Sequence, residues 1–394
     1  MSTMEEAVIL SAVRTPIGKF MGALAPLNAV ELAAIAFRAA LARSGIKAGE
    51  IDEAILGNVV GAGLGMAPAR HAALKAGLPD SLPCFTVNKV CGSGLKAAML
   101  GAQAIKAGDA RAVLVGGTES MSNSPHLVRA RAGLGYGHGK LEDSLLTDGL
   151  ECCIEKWHMG FAAEHIATRF GVTRDEMDRF AAESHRKAVA AQDAGRFDAE
   201  TIPVEVPQRK GAALIVNRDE GPRADTSLEK LAALKPAFAK DGRVTAGNAS
   251  ALNDGAAALV VAQAAWAEKS GLKPLARIRS YATSGVAPKE IFHAPALAIP
   301  DALRRAGLEL QDIGLFELNE AFAAQSLANI KALSIDAAKV NVNGGAVALG
   351  HPLGASGARC LVSLIHAMKS RGERYGVVAL CLGGGNAVAM VVEA

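Results

Sequence analysis

Val87-Asn88-Lys89-Val90-Cys91-Gly92-Ser93-Gly94 reads as the end of a strand, a glycine turn and the start of a helix. The run Phe85–Val90 supplies the strand. Gly94–Ala107 has small residues on one face and stops at Gly108, as a helix does. Ala112–Val115 then reads as a buried strand closed by Gly116-Gly117. The same plan returns near the other end of the chain. Val340-Asn341-Val342-Asn343 reads as a strand, Ser356-Gly357-Ala358-Arg359 opens a helix running to Arg371-Gly372, and Val377–Leu382 is a strand ending in Gly383-Gly384. The Ser-Gly to Gly-Gly spacing is 23 residues in one half (93 to 116) and 27 in the other (356 to 383). Matching order, element type and glycine placement indicate two duplicated halves.

Outward from these segments, Ala7–Ala12, Glu53–Leu56 and Gly314–Leu318 read as strands and Ala29–Gly45 as a helix. Ala256–Ala262 reads as a strand that returns to the first half. The intervening region differs. Gly133-Leu134-Gly135-Tyr136-Gly137-His138-Gly139 is too glycine-rich for the interior of an element. Charged helices at Met159–Phe170 and Arg174–Ala194 follow, and then the polar stretch Gln208–Leu228. The expected organisation is an N-terminal half (1–120 plus 251–271), an inserted loop domain (121–250) and a C-terminal half (272–394).

Composition bounds the function. A 394-residue chain that is 50% hydrophobic buries a large core, and its 42 glycines with only 4% aromatics fit layered α/β packing by small side chains. A net charge of +3 is too weak to argue for nucleic acid, and scarce aromatics argue against base stacking. The polar, acidic Met1–Glu6 and the short Ala7-Val8-Ile9-Leu10 do not suit an export signal, and no apolar run is long enough to span a membrane. The six cysteines contain no C-x-x-C pair, so reduced thiols in the cytoplasm are expected, with no metal site. A P-loop, a G-x-S-x-G elbow and an H-E-x-x-H pair are all absent, and Gly61-Ala62-Gly63-Leu64-Gly65 lacks the dinucleotide spacing.

Three reactive side chains stand beside glycines. Cys91 sits where a strand gives way to a helix, whose free N–H groups and positive dipole end favour a thiolate. It reads as a nucleophile or as a small cysteine buried in a tight turn. His351, in Gly350-His351-Pro352, sits on an irregular loop restricted by the proline. It reads as an acid/base or as a surface-loop histidine. Cys381 ends an apolar strand before Gly383-Gly384-Gly385 and reads as a core cysteine or as a second thiol acid/base beside an oxyanion site. Asn319, after the strand ending at Leu318, reads as a holder of water or carbonyl or as a helix cap.

These segments resemble the thiolase family. Val87–Lys96 is similar to its nucleophile motif, Asn319-Glu320-Ala321-Phe322 to N-E-A-F, Asn343–Gly357 to its G-H-P motif and Cys381–Gly385 to C-x-G-G-G. Arg14-Thr15-Pro16, Pro68-Ala69-Arg70 and Ala246–Ser250 also match, so the likeness runs through the whole chain in order. The resemblance implies a five-layer α-β-α-β-α fold with the insertion binding coenzyme A, and a homotetramer built as a dimer of dimers. It implies that Cys91 is acylated with His351 activating it, and that Cys381 moves the α-proton of a second acyl-CoA. One oxyanion site would use His351 with a water held by Asn319, the other the N–H groups of Cys91 and Gly383. Coenzyme A would be held by His158, Met159, Arg223, Phe238, Ala246, Ser250, Ala321 and Phe322, although Met159 and Phe238 also suit core packing. The Arg129–Leu141 loop would mediate tetramer contacts.

The implied reaction is the reversible condensation of two acetyl-CoA to acetoacetyl-CoA and coenzyme A, with thioester substrates and no tightly bound cofactor. His158-Met159-Gly160 resembles enzymes of that kind. Two departures stand out. Ile291-Phe292-His293-Ala294-Pro295 replaces the family's Met-Gly-x-Gly-Pro, which helps shape the acyl pocket, and Asn386-Ala387 replaces the usual continuation of the triple glycine. The first motivates an alternative, a degradative thiolase of β-oxidation taking longer 3-ketoacyl-CoA. A non-catalytic acyl-CoA or lipid-binding protein on this fold is the alternative from another class.

Overall fold

The computed structural model describes residues 5–394. The polar start of the chain, read above for an export signal, lies largely outside them. In the first half the strands are β1 (Ala7–Arg14), β2 (Glu53–Gly57), β3 (Cys84–Val87) and β4 (Ala112–Ser120), with helices α1 (Ala29–Ser44), α2 (Pro68–Lys75) and α3 (Ser93–Ala107). The insertion carries α4 (Met159–Arg169) and α5 (Arg174–Asp193). The chain returns through β5 (Asn253–Gln263) and β6 (Ala276–Gly285). The second half adds α6 (Pro295–Ala306), β7 (Leu315–Leu318), α7 (Ala323–Leu333), α8 (Leu353–Arg371), β8 (Tyr375–Leu382) and β9 (Asn386–Glu393).

Strand order carries the duplication. The first half runs β3-β2-β4-β5-β1, and the second runs β7-β8-β9-β6. In each half a parallel pair (β2 with β4, β7 with β8) continues into antiparallel neighbours. Both closing strands shift register at a bulge, between Ile9 and Ser11 in β1 and between Ile278 and Ser280 in β6. The two sheets join edge to edge where Val8 pairs with Arg277 and Ile9 with Ala276.

Three apolar cores make five layers. One lies between α1, α2 and the first sheet, a second between the two sheets around α3 and α8, and a third between the second sheet and the helix layer led by α6. Helix α8 is buried from Leu353 to Ile365 because it has a sheet on each side, and its few polar side chains there, Ser356, Arg359 and Ser363, are buried with internal partners. It crosses α3 at glycines. A Cβ on Gly357 would lie 2.4 Å from the Leu95 nitrogen, and one on Gly94 2.7 Å from the Ala358 nitrogen.

One expected strand is absent. Val340–Asn343 forms only an isolated parallel bridge, Val340 to Phe316. Asn341 is left-handed (φ 44°), and its side-chain amide accepts from the Leu318 nitrogen and donates to the Leu318 carbonyl, both at 2.8 Å. A side chain thus makes the edge hydrogen bonds that β3 makes with its backbone in the first half. The equivalent helix also starts earlier than the repeat suggests, at Leu353 instead of Ser356. The charged helices of the insertion form as read, each shorter by one residue at its end. Buried Arg14 fastens the insertion to β1 through Glu200 (2.6 Å) and Asp219 (2.7 Å).

Candidate active site

Cys91 stands in a turn that its neighbours hold. The Ser93 hydroxyl donates to the Val90 carbonyl (2.6 Å) and accepts from the Lys89 nitrogen (2.8 Å). Asn88 accepts from the Val90 nitrogen (2.9 Å). These bonds keep β-branched Val90 at φ 48°, a conformation such a residue adopts only under constraint. The hairpin between β8 and β9 closes on this turn. A Cβ on Gly92 would meet Leu382 at 2.3 Å, and one on Gly383 would meet Val90 at 3.0 Å. The backbone N–H groups of Cys91 itself and of Gly383 favour charge on the Cys91 sulfur.

His351 arrives from the far half. Gly350 has φ 110° and packs against Asn253, where a Cβ would lie 2.3 Å away, and the His351 nitrogen donates to Asn253 Oδ1 (3.0 Å). On the ring, Nδ1 lies 2.6 Å from Ser356 Oγ, whose own proton goes to the Pro352 carbonyl (2.8 Å). The hydroxyl therefore accepts from Nδ1–H, which leaves Nε2 with its lone pair. Asn319 Nδ2 is 3.4 Å from that Nε2. Asn319 is not a helix cap, because α7 starts at Ala323 with Phe322 before it.

Burial governs the charges. It pushes the Cys91 thiol up to about 12, against the opposing pull of the two N–H groups. The helix start expected to favour a thiolate is thus outweighed by desolvation. Burial also pushes Cys381 well above its ordinary 9.0, with the neighbouring Cys91 adding to the shift. It lowers His351 to about 3, with the Arg359 guanidinium acting in the same sense. At neutral pH the resting site is two thiols and a neutral imidazole.

One cleft of about 500 Å³ gathers the expected residues. Cys91, His351, Cys381 and Gly383 meet at its inner end, and His158, Met159, Arg223, Phe238, Ala246, Ser250, Ala321 and Phe322 line the rest. Asn319 alone lies behind the lining, against His351. His158 stacks on Phe238 at 4.8 Å, with its Nδ1 accepting from the Gly160 nitrogen (3.0 Å). Ser250 donates to the Ala321 carbonyl (2.9 Å). Ile291 and Phe292 form part of the inner wall, Phe292 5.4 Å from Phe322. Toward solvent, Arg223 is shared with a second cavity that Lys19 and Lys230 also line.

Several supports escape a reading by motif. Asn253 and Ser356 orient His351. Glu320, inside the N-E-A-F segment, bonds Ser184 (2.7 Å), Asn341 (2.8 Å) and the Val347 nitrogen (3.0 Å). Buried Arg359 pairs with Glu317 at 2.6 Å. Apart from Ser356 each partner is far off in sequence, and only Ser356 carried a signal, as the counterpart of Ser93.

Nearly the whole chain matches known proteins. The thiolase N-terminal domain model matches residues 7–265 and the thiolase C-terminal domain model residues 272–394. The chain is 54% identical to the acetyl-CoA acetyltransferase of Pseudomonas aeruginosa and 53% to that of Escherichia coli, over 99% of each chain. It is 52% identical to a probable acetyl-CoA acyltransferase of Staphylococcus epidermidis over 99% of both. The crystal structure of the Bacillus anthracis acetyl-CoA acetyltransferase superposes with a TM-score of 0.98 at 45% identity, with both chains covered completely.

Proposed function

The chain belongs to the thiolase family, and from that premise we propose that its cleft condenses two acetyl-CoA to acetoacetyl-CoA and coenzyme A, and runs the reverse. The observation that carries this reading is the meeting of Cys91, Cys381, His351 and the Gly383 N–H at the closed end of one apolar cleft. The cleft's apolar wall suits pantetheine, and the cations Arg223, Lys19 and Lys230, which line the adjoining cavity, suit the phosphates of coenzyme A.

In the first step the Cys91 sulfur attacks the thioester carbonyl as His351 Nε2 takes its proton. The carbonyl oxygen gains charge and is held by oriented donors. The C–S bond to coenzyme A breaks, the departing sulfur takes the Cys381 proton, and acetyl-Cys91 remains. Cys381 is now the thiolate that the second step needs. It removes the α-proton of the second acetyl-CoA. The resulting carbanion attacks the acetyl group, a C–C bond forms, and the bond to Cys91 breaks. The Cys91 sulfur recovers its proton from His351. A site that keeps both thiols neutral at rest suits this sequence, because each charge appears only when its partner proton has moved.

The reading also takes residues 121–250 as the coenzyme A-binding insertion, and a homotetramer working in the cytoplasm. All six cysteines are free, which catalysis by thiols needs. Ile291 and Phe292 at the inner wall favour acetyl over longer acyl groups, which ranks the β-oxidation alternative second. Thiolysis of acetoacetyl-CoA, measured beside a medium-chain 3-ketoacyl-CoA, tests this. Faster turnover of acetoacetyl-CoA is expected. A preference for the longer substrate moves the chain to β-oxidation, and tight binding without turnover makes it a binding protein.

A further inference from the structure

Glu119 lies one residue from the end of β4, is 1% exposed, and has no place in the reaction above. Its carboxylate accepts four hydrogen bonds. Oε1 takes Asn58 Nδ2 (2.9 Å) and the Val60 nitrogen (3.1 Å), and Oε2 takes the Val59 nitrogen (3.1 Å) and the Gly354 nitrogen (2.8 Å). Three of these donors belong to the loop after β2 in the first half. The fourth opens α8 in the second half, three residues after His351. The side chains of Val59, Val60 and Leu353 pack in one cluster against Cys91. The junction has no slack, since a Cβ on Gly354 would lie 2.4 Å from the Thr118 carbonyl oxygen.

The duplication gives this contact a meaning. With Ser93 set against Ser356, Cys91 falls on Gly354. At α3 the N–H of that position, with the Gly383 N–H, favours charge on the Cys91 sulfur, and both residues line the cleft. At α8 the corresponding N–H is filled by a carboxylate of the protein. One half thus leaves its helix start available to a substrate oxygen, and the other fills it with an internal anion, which a helix N-terminus favours.

We propose that Glu119 is a positioning residue for the acyl-transfer step, an internal anion that clamps the two halves around Cys91 and fixes the His351 loop against it. This rests on the reading of Cys91 as the nucleophile. The clamp has an electrostatic signature as well as a geometric one. The titratable groups around the Cys91 sulfur are Cys381 at the end of β8, His351 ahead of α8 and Glu119 on β4. Burial is the main cause of the raised Cys91 thiol, and the negative charge of Glu119 adds to it. Burial pushes Glu119 itself up to about 7 while its four donors oppose the shift.

The test is Glu119→Gln, which keeps the shape, removes the charge and turns an NH2 toward backbone donors. The acetylation rate of Cys91 by acetyl-CoA, followed by mass spectrometry of the Cys91 peptide, should fall by roughly 10²-fold, the cost of a small misplacement at a reacting centre. KM for acetyl-CoA should stay within about 3-fold, because the coenzyme A cleft is untouched. The pH midpoint for alkylation of Cys91 by iodoacetamide should move down, because a neighbouring negative charge has gone. An acetylation rate near that of the unmodified protein, or an unmoved alkylation midpoint, overturns the proposal and leaves Glu119 a structural plug. If that variant does not fold, Asn58→Ala removes one donor, and an unchanged acetylation rate there overturns the proposal equally. Absence of acetyl-Cys91 in the unmodified protein would overturn the function proposed above, whereas the alkylation midpoints would still judge the clamp.

Discussion

At the scale of single residues, the proposed reaction falls to two cysteines in different settings, Cys91 half-buried and Cys381 buried. Two backbone N–H groups favour charge on Cys91, whereas Cys381 lies near the end of a strand inside an apolar cluster with Ile291, Phe292 and Phe322. Cys91→Ala should lower kcat by more than ~10³-fold, since a covalent nucleophile rarely has a substitute. Burst labelling by radiolabelled acetyl-CoA checks this, and retained label would remove Cys91 from the role. In Cys381→Ser the departing coenzyme A sulfur can take its proton from water, so the same labelling should show acylation surviving while condensation is lost. The imidazole gives a separate test. With His351 held down to about 3, its ring stays neutral through the range in which a solvated imidazole gains its proton near 6.5. The Cε1 resonance of His351, identified by its loss in His351→Gln, should therefore keep its neutral position from pH 8 down to about pH 5. Titration within that window would mean that the loop is solvated. The linkage sign follows: a lowered histidine favours the folded state above the unfolded value and costs stability as pH falls below it.

At the scale of elements, the crossing of α3 and α8 sets the distance between the catalytic segments, because each helix begins at one of them. The crossing depends on glycine at Gly94 and Gly357. Gly357→Ala places a methyl against the backbone of Leu95, which has no side-chain freedom to yield. Overpacking of this kind costs about 1–3 kcal/mol. Urea unfolding should show the loss, together with a drop in activity as Cys91 and His351 separate. A stable and fully active variant would show that the crossing tolerates spreading. The glycines of the repeat were visible in the chain as helix-opening pairs, but their use as a contact between the two copies was not. That use depends on the two helices sharing one layer, a relation between segments some 260 residues apart (94 to 357). The misread strand at Val340–Asn343 has a similar cause. Its composition suits a strand, and the edge it lies against was already served by the side chain of Asn341.

At the scale of the whole molecule, the insertion is tied down at its root and free at its tip. Arg14 pairs with Glu200 and Asp219 without solvent, an arrangement whose breaking typically costs about 3–5 kcal/mol. By contrast Val128, Leu134, Tyr136 and Leu141 are all exposed. Four apolar side chains on one glycine-rich loop fit a surface that another subunit covers. Removal of residues 129–141 should therefore lower the mass measured by light scattering from tetramer to dimer while thiolysis per chain is largely kept. An unchanged mass would end that role for the loop.

The sequence by itself determined the two-half plan, and it marked the segments that carry Cys91, His351 and Cys381. These are carried by local signals: apolar periodicity, glycine at turns, and a cysteine or histidine placed between glycines. Only the tertiary structure decided which charges those groups carry and what holds them. Desolvation of Cys91 to about 12 and of His351 to about 3 comes from surroundings contributed by both halves and has no local mark. The same holds for Asn253 and Glu119, whose hydrogen bonds exist because folding brings donors and acceptors from distant segments into one buried volume, where each must find a partner.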